Sequence, residues 1–251
     1  MENTKNDVYD IFIQAGQSNA VGGGIGFITE EYIPTEDILY MQPDLKISVA
    51  EPTYWFDAVS GDKVTAHDFS LSFSKEYIKS GRLAEGRKIL ILRAAVGGTG
   101  WLDNRWGMND DLYLKMMEMI KTALDLNPQN ELVVFLWHQG ETDAILNASY
   151  EVHYNNLKTL VDSVRATYNC HDIPFIAGDF CYQWKNTCLP QTEPVIQAIK
   201  DVCVAVGHSA FVETAELHSN NQDTGIEDGI HFSREALHQM GIKYFNAFVK
   251  I

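Results

Sequence analysis

Four short fragments of the chain carry side chains suited to acyl transfer. In Gly16-Gln17-Ser18-Asn19-Ala20 a hydroxyl stands on a glycine turn directly after the apolar run Val8–Ala15. A serine between a buried strand and a helix start is exposed and close to backbone N–H donors, the setting a serine nucleophile needs. The same fragment also reads as a plain helix N-cap. It is not a G-x-S-x-G elbow, because Ala20 stands where the second glycine would be. In Asp228-Gly229-Ile230-His231-Phe232-Ser233 an acid precedes a histidine by three residues, in a turn leading into the last helical segment. A carboxylate at that step can reach the imidazole and hold its tautomer. Histidine is the side chain best able to take a proton from a serine near neutral pH.

Two further fragments could stabilise charge. Gly97-Gly98-Thr99-Gly100 follows the apolar run Lys88–Ala95, and glycines there let backbone N–H groups approach a ligand. It is not a phosphate loop, since no G-K-[ST] follows and the spacing does not fit G-x-G-x-x-G. Trp137-His138-Gln139-Gly140-Glu141-Thr142-Asp143 follows the run Leu132–Trp137. Polar groups at the end of a core strand are costly unless partnered. Glu141 is a rival to Asp228 as the acid that orients His231. His138 and Glu141 lack the further ligands and spacing of a zinc site, so no metal and no cofactor are expected.

These fragments must be held by a regular frame. Val8–Ala15, Lys88–Ala95, Leu132–Trp137, Pro174–Gly178 and Ala210–Val212 read as strands, several of them near-continuous apolar runs as in strands buried on both faces. Asp68–Ser80, Asp110–Leu126, Tyr150–Tyr168, Glu193–Val206 and Arg234–Val249 read as amphipathic helices. Such alternation predicts an α/β fold, a mostly parallel sheet of about five strands covered on both sides, in a single domain spanning residues 1–251. Pro34, Pro43 and Pro52 break Gly22–Ala66, which is too long for an ordinary loop and is expected to hold short strands covering one edge or the site. In open α/β sheets ligands bind beyond the carboxyl ends of the strands, where the four fragments fall.

Lys and Arg total 19 against 34 Asp and Glu, a formal charge of −15. That field disfavours nucleic acid and anionic lipid surfaces as partners and suits neutral or locally recognised substrates. Cys170, Cys181, Cys188 and Cys203 form no C-x-x-C pair and are expected as free thiols, although a Cys181–Cys188 bridge is conceivable. No apolar run reaches the roughly 20 residues of a membrane span, and the opening MENTKNDVYDIFI lacks a leader pattern. A cytoplasmic location is therefore expected, or a secreted one if a leader has been removed.

Taken together, GQSNA at 16–20, AAVGGTG at 94–100, WHQGETD at 137–143 and DGIHFS at 228–233 resemble an SGNH-type hydrolase. The resemblance is to the sialate O-acetylesterase and acetylxylan esterase branch, carbohydrate esterase family six. It implies a three-layer α/β/α sandwich and a serine esterase that removes O-acetyl groups from a carbohydrate through an acyl-enzyme. Carried over, Ser18 is the nucleophile, His231 the base and Asp228 its orienter. The N–H groups of Ser18 and Gly98 and the side chain of Gln139 form the oxyanion hole, Gln139 filling a place that the broader group gives to asparagine. Aromatic rings in irregular segments (Trp55, Trp101, Trp106, Tyr182, Trp184) could meet sugar faces, and Arg93 and Arg105 an acidic sugar. The expected substrate is a small acetylated sugar or oligosaccharide. The alternatives are a catalytically silent carbohydrate-binding protein and a lipid or thioester hydrolase of the same fold.

Overall fold

The run Val8–Gly16 is a strand, β1, whose alternate side chains are buried on opposite faces. Ile11, Ile13 and Ala15 enter one apolar cluster, and Phe12 enters another. The computed structural model describes residues 7–52, 54–56 and 63–251. After β1 come α1 (Ser18–Val21), β2 (Ile38–Met41), β3 (Ile47–Val49), β4 (Tyr54–Phe56), β5 (Lys63–Thr65), α2 (Phe69–Lys79) and β6 (Arg87–Arg93). Then follow α3 (Asp111–Asp125), β7 (Glu131–His138), α4 (Glu141–Ile145), α5 (Tyr150–Thr167), β8 (Phe175–Gly178), α6 (Tyr182–Thr187) and α7 (Leu189–Val206). The chain closes with β9 (Ser209–Val212), α8 (Asn220–Thr224) and α9 (Arg234–Phe248).

The main sheet has seven strands in the order β3-β2-β6-β1-β7-β8-β9, all parallel except β3, which pairs antiparallel with β2. The α/β expectation stands, and the count of about five is corrected to seven. The two extra strands come from the proline-broken stretch 22–66, which also supplies a separate β4–β5 hairpin. They escape pattern reading because they span only four and three residues, too few to show a period, and β2 (ILYM) is buried throughout.

Helices cover both faces. Met116 and Ile120 of α3, Leu157 and Val161 of α5 and Ile199 of α7 pack on the face of Ile11 and Ile13. Phe69 and Phe73 of α2 and Leu237 and Tyr244 of α9 pack on the face of Phe12. This is a three-layer α/β/α arrangement. The helix starts are capped as their sequences require: Asp68, Ser149 and Ser233 accept N–H bonds from Ser70, Val152 and Ala236.

Helix α9 reaches α2 only because residue 241 lacks a side chain. A Cβ there would lie 2.1 Å from the carbonyl oxygen of Phe69 and 2.1 Å from Ser72 Oγ. Neither backbone can move without disturbing the packing that carries His231 into place. Gly241→Ala is therefore expected to lower stability by about 1–3 kcal/mol, the usual cost of overpacking, as read from urea unfolding. A midpoint unchanged from the wild type would show that the two helices slide apart freely.

Candidate active site

Strands β6, β1 and β7 are neighbours, so their carboxyl ends open onto one place. The order of the chain, with β6 and β7 on opposite sides of β1, makes this the crevice where an open α/β sheet binds ligands. Gly16 ends β1 with φ +130°, and a Cβ on it would lie 2.0 Å from the carbonyl oxygen of His138. Only glycine allows β1 to turn there against the end of β7. Gln17 N–H then donates to His138 O at 2.9 Å, and Val96 N–H to Gly16 O at 3.1 Å.

Each of the next three residues reaches a different segment. The Gln17 side-chain oxygen accepts from Thr142 N at 3.1 Å and Gly140 N at 3.4 Å, bracing the start of α4. Ser18 is half-buried at the head of α1. Asn19 is buried; its Nδ2 donates to Glu141 Oε1 at 2.7 Å and Ile230 O at 3.2 Å, and its Oδ1 accepts from Phe232 N at 3.1 Å. Asn19 thus ties the serine turn to both neighbours of His231.

Ser18 Oγ lies 2.9 Å from His231 Nε2, and His231 Nδ1 lies 2.9 and 3.0 Å from the two oxygens of Asp228. With Nδ1–H donated to the carboxylate, Nε2 is the acceptor that faces the hydroxyl. Burial by itself would raise the Asp228 carboxyl, but the His231 imidazole and the Asn220 amide hold it below the ordinary carboxylate value. The geometry is that of a hydroxyl activated by a base with an oriented tautomer. The N–H groups of Ser18 and Gly98 donate to no group among the described residues. Gly97 adjoins the serine, since a Cβ built on it would lie 3.6 Å from Ser18 Cβ. Donors of this kind suit a developing oxyanion.

Glu141 points elsewhere. It is buried, its Oε1 accepts from Asn19, and the same oxygen lies 3.6 Å from His138 Nε2. Tyr244 donates its proton to Trp137 O at 3.0 Å, so its oxygen accepts from His138 Nδ1 at 3.1 Å and turns Nε2 toward Glu141. Burial raises the Glu141 carboxyl, and His138 and Asn19 more than offset this, leaving it below its ordinary value. At the end of β7, His138 Nδ1 and Glu141 Oε1 are thus hydrogen-bonded, whereas Trp137 Nε1, His138 Nε2 and Glu141 Oε2 are buried without a hydrogen bond among the described residues.

Gln139 differs from the sequence expectation. It is buried, and its Nε2 donates to Thr99 O at 3.1 Å and to Asp143 Oδ2 at 2.7 Å, which engages both of its N–H groups. The flipped amide would face oxygen against oxygen on both sides. Its expected role as an oxyanion donor is corrected: the amide braces the loop that carries Gly98. Asp143 completes that brace, accepting Trp101 N at 2.9 Å and Leu102 N at 3.0 Å, with His153 Nδ1 at 3.6 Å. Burial raises the Asp143 carboxyl, and His153 and these N–H donors bring it below its ordinary value.

Of the expected sugar contacts, Trp101 and Trp106 are corrected. Trp101 and Trp106 are only 7% and 1% exposed and stack on Trp137 in the core, with Trp106 Nε1 bonded to Thr99 Oγ1 at 3.1 Å. Large rings beside a glycine loop fill the layer under it rather than face solvent. Arg105 is held bidentately by Asp111 at 2.8 and 3.0 Å. Tyr182 is exposed and Trp184 half-buried; the Trp55 side chain lies outside the described residues. The four cysteines are free thiols.

The sequence reading missed Asn19, Asn220 and Asp143 as organisers. Asn220 is buried; its Nδ2 donates to Asp228 Oδ2 at 2.9 Å, its Oδ1 accepts from Ile25 N at 3.0 Å, and its N–H donates to His231 O at 2.9 Å. One signal was legible: Ser219-x-x-Gln222 is a capping box that fixes the helix start just where Asn220 sits.

Two outcomes follow. Asp228→Asn is expected to lower kcat by up to about 10⁴, because an amide favours the wrong imidazole tautomer, and Glu141→Gln by far less. Steady-state kinetics on an acetyl ester check this, and the reverse ranking would remove Asp228 from the relay. Gln139→Ala and Asp143→Ala act on the same loop, so their losses in kcat are expected to be strongly non-additive. Additive losses in the double variant would return Gln139 to direct donation.

Comparison with known proteins gives the family and the fold. The model of the family described as carbohydrate esterase, sialic acid-specific acetylesterase, matches residues 8–250. A probable 9-O-acetyl-N-acetylneuraminic acid deacetylase of Escherichia coli (strain K12) is 30% identical over 90 residues, 33% of this chain; the chain matches only 27% of that relative's length. The structure of NanS superposes with a TM-score of 0.79 at 19% identity, covering 97% of each chain. A protein from Arabidopsis thaliana superposes with a TM-score of 0.71 at 20% identity, covering 96% of this chain and 98% of its own. These two structures share the fold, and the family match spans Ser18, Asp228 and His231. The chain belongs to the carbohydrate esterase family of sialic acid-specific acetylesterases.

Proposed function

We propose that this chain is a serine acetylesterase that removes O-acetyl groups from a sugar through an acyl-enzyme. The observation that carries the reading is the unbroken relay from Ser18 Oγ through His231 to Asp228, each link 2.9–3.0 Å. Ser18 Oγ attacks the acetyl carbonyl as His231 Nε2 takes its proton, and Asp228 stabilises the imidazolium. The Ser18 and Gly98 N–H groups receive the negative charge on the carbonyl oxygen. His231 returns the proton to the departing sugar hydroxyl, leaving acetyl-Ser18. Water then attacks that ester as His231 takes its proton, and His231 passes the proton to Ser18 Oγ as the acyl–oxygen bond breaks and acetate leaves.

An acidic sugar of the sialic type is the finer substrate reading. It is supported by the description of the family and by the printed name of the Escherichia coli relative. A catalytically silent sugar-binding protein would have no use for a hydroxyl and an imidazole aligned at 2.9 Å. Fluorogenic acetyl, butyryl and longer acyl esters test the reading. Turnover is expected on acetyl, falling as the chain lengthens, with covalent labelling of Ser18 by a serine-reactive phosphonate and its loss in Ser18→Ala. Equal or greater turnover on long acyl chains would favour a lipid hydrolase, and no turnover at all would favour the binding protein.

A further inference from the structure

Arg93 ends β6 on the face of Ile89 and Ile91, where its guanidinium lies 4.7 Å from the centre of the Tyr40 ring. Tyr40 comes from the adjacent strand, β2. Arg93 Nη2 donates to Val21 O at 2.5 Å. Val21 closes α1, three residues after Ser18, or about 4.5 Å along the helix axis. The cation is thus about one helical turn from the nucleophile.

Three other cations near the carboxyl end of the sheet are neutralised. Arg105 is held by Asp111, Arg234 by Glu31 and Lys185 by Asp179. No ion pair joins Arg93 to a carboxylate among the described residues. An arginine has five N–H donors in a planar fork, and one bond to Val21 O leaves an edge for a second, bidentate acceptor. That edge borders an open cavity of about 350 Å³ lined by Tyr40, Gln42, Ser48, Val49 and Pro52, together with Arg93 itself. Glu51 also lines it and is exposed, without an ion pair to the guanidinium.

In a chain carrying −15 charges, a half-buried arginine with no carboxylate partner among the described residues, bonded to the far end of the short helix that Ser18 begins, is an unusual feature. Stacking on Tyr40 and the bond to Val21 hold it in one orientation, so little side-chain freedom remains to be lost on binding. We propose that Arg93 is the specificity residue of this esterase, receiving the carboxylate of an acidic sugar in the cavity beside Tyr40 while the acetyl ester reaches Ser18. A sialic acid bears its carboxylate and its side-chain acetyl group at opposite ends, which suits a cation set one turn away from the nucleophile. This inference rests on the acetylesterase reading and adds to it the group that selects the acid.

The experiment compares 9-O-acetylated sialic acid with its carboxyl methyl ester, which keeps the acetyl group and loses the charge. The wild type is expected to favour the free acid by roughly 10–100-fold in kcat/KM, the range for a charge-assisted hydrogen bond. Arg93→Gln is expected to bring that ratio near one, and Arg93→Lys to leave an intermediate ratio that falls as salt is added. The ratio is internal to each variant, so a general loss of folded or active enzyme cancels. A wild-type ratio in Arg93→Gln, or a ratio near one in the wild type, would overturn the assignment. A wild type that deacetylates neutral sugars but not sialic acid would overturn it too and leave the acetylesterase reading standing. A wild type inactive on every acetyl ester would end both.

Discussion

Where β1 meets β7, the backbone of Gly16 lies against the carbonyl of His138 so closely that no side chain fits between them. The rest of the site depends on this contact. It turns the chain at the end of the central strand, and the Gln17 N–H then locks onto the same carbonyl. From that fixed point Gln17 braces α4, Ser18 faces the crevice, and Asn19 reaches under the turn to the segment around His231. A hydrogen-bonded relay tolerates displacements of only a few tenths of an ångström. It is therefore held by backbone and buried amides rather than by surface loops.

A second theme is the division of labour among buried carboxylates. Asp228, Glu141 and Asp143 each sit beside a histidine: His231, His138 and His153. Each is held below its ordinary carboxylate value in spite of burial. Only Asp228 faces an imidazole whose other nitrogen meets the serine. Glu141 supports the floor of the turn through Asn19, and Asp143 gathers Gln139, Trp101 and Leu102 beneath the Gly98 loop. Glu141 and Asp143 are buried with their histidines, and a buried carboxylate is costly to strip of its partners, which makes these contacts effective at fixing one arrangement.

The substrate side is built differently. The tryptophans next to the glycine loop are absorbed into the core, where Trp137 contacts both Trp101 and Trp106. Their contribution to the site is stiffness. The cavity proposed to receive the acid lies instead against β2 and β3, strands drawn from the irregular segment after the serine turn.

Much of the candidate site was legible in the sequence. Ser18, Gly98, Asp228 and His231 stand in short local patterns whose geometry follows from a few consecutive residues, and the central strands and main helices from apolar periodicity. Short-range chemistry of this kind needs no knowledge of the fold. What the sequence could not decide was which distant groups meet. Whether Asp228 or Glu141 faces His231 depends on the register of β7 against β1 and on Tyr244 of α9 turning His138 toward Glu141. Whether Gln139 has an N–H to offer depends on Asp143 and on the Thr99 carbonyl of another strand's loop. Whether Trp101 and Trp106 face a sugar depends on the core layer they pack into, and whether Arg105 is free depends on Asp111 at the start of α3. Strands β2 and β3 were hidden because three- or four-residue strands carry no period and are defined only by the partners they pair with. Local pattern sets the chemical repertoire, while burial and long-range pairing, which are properties of the folded chain, decide which members of that repertoire touch the reacting atoms.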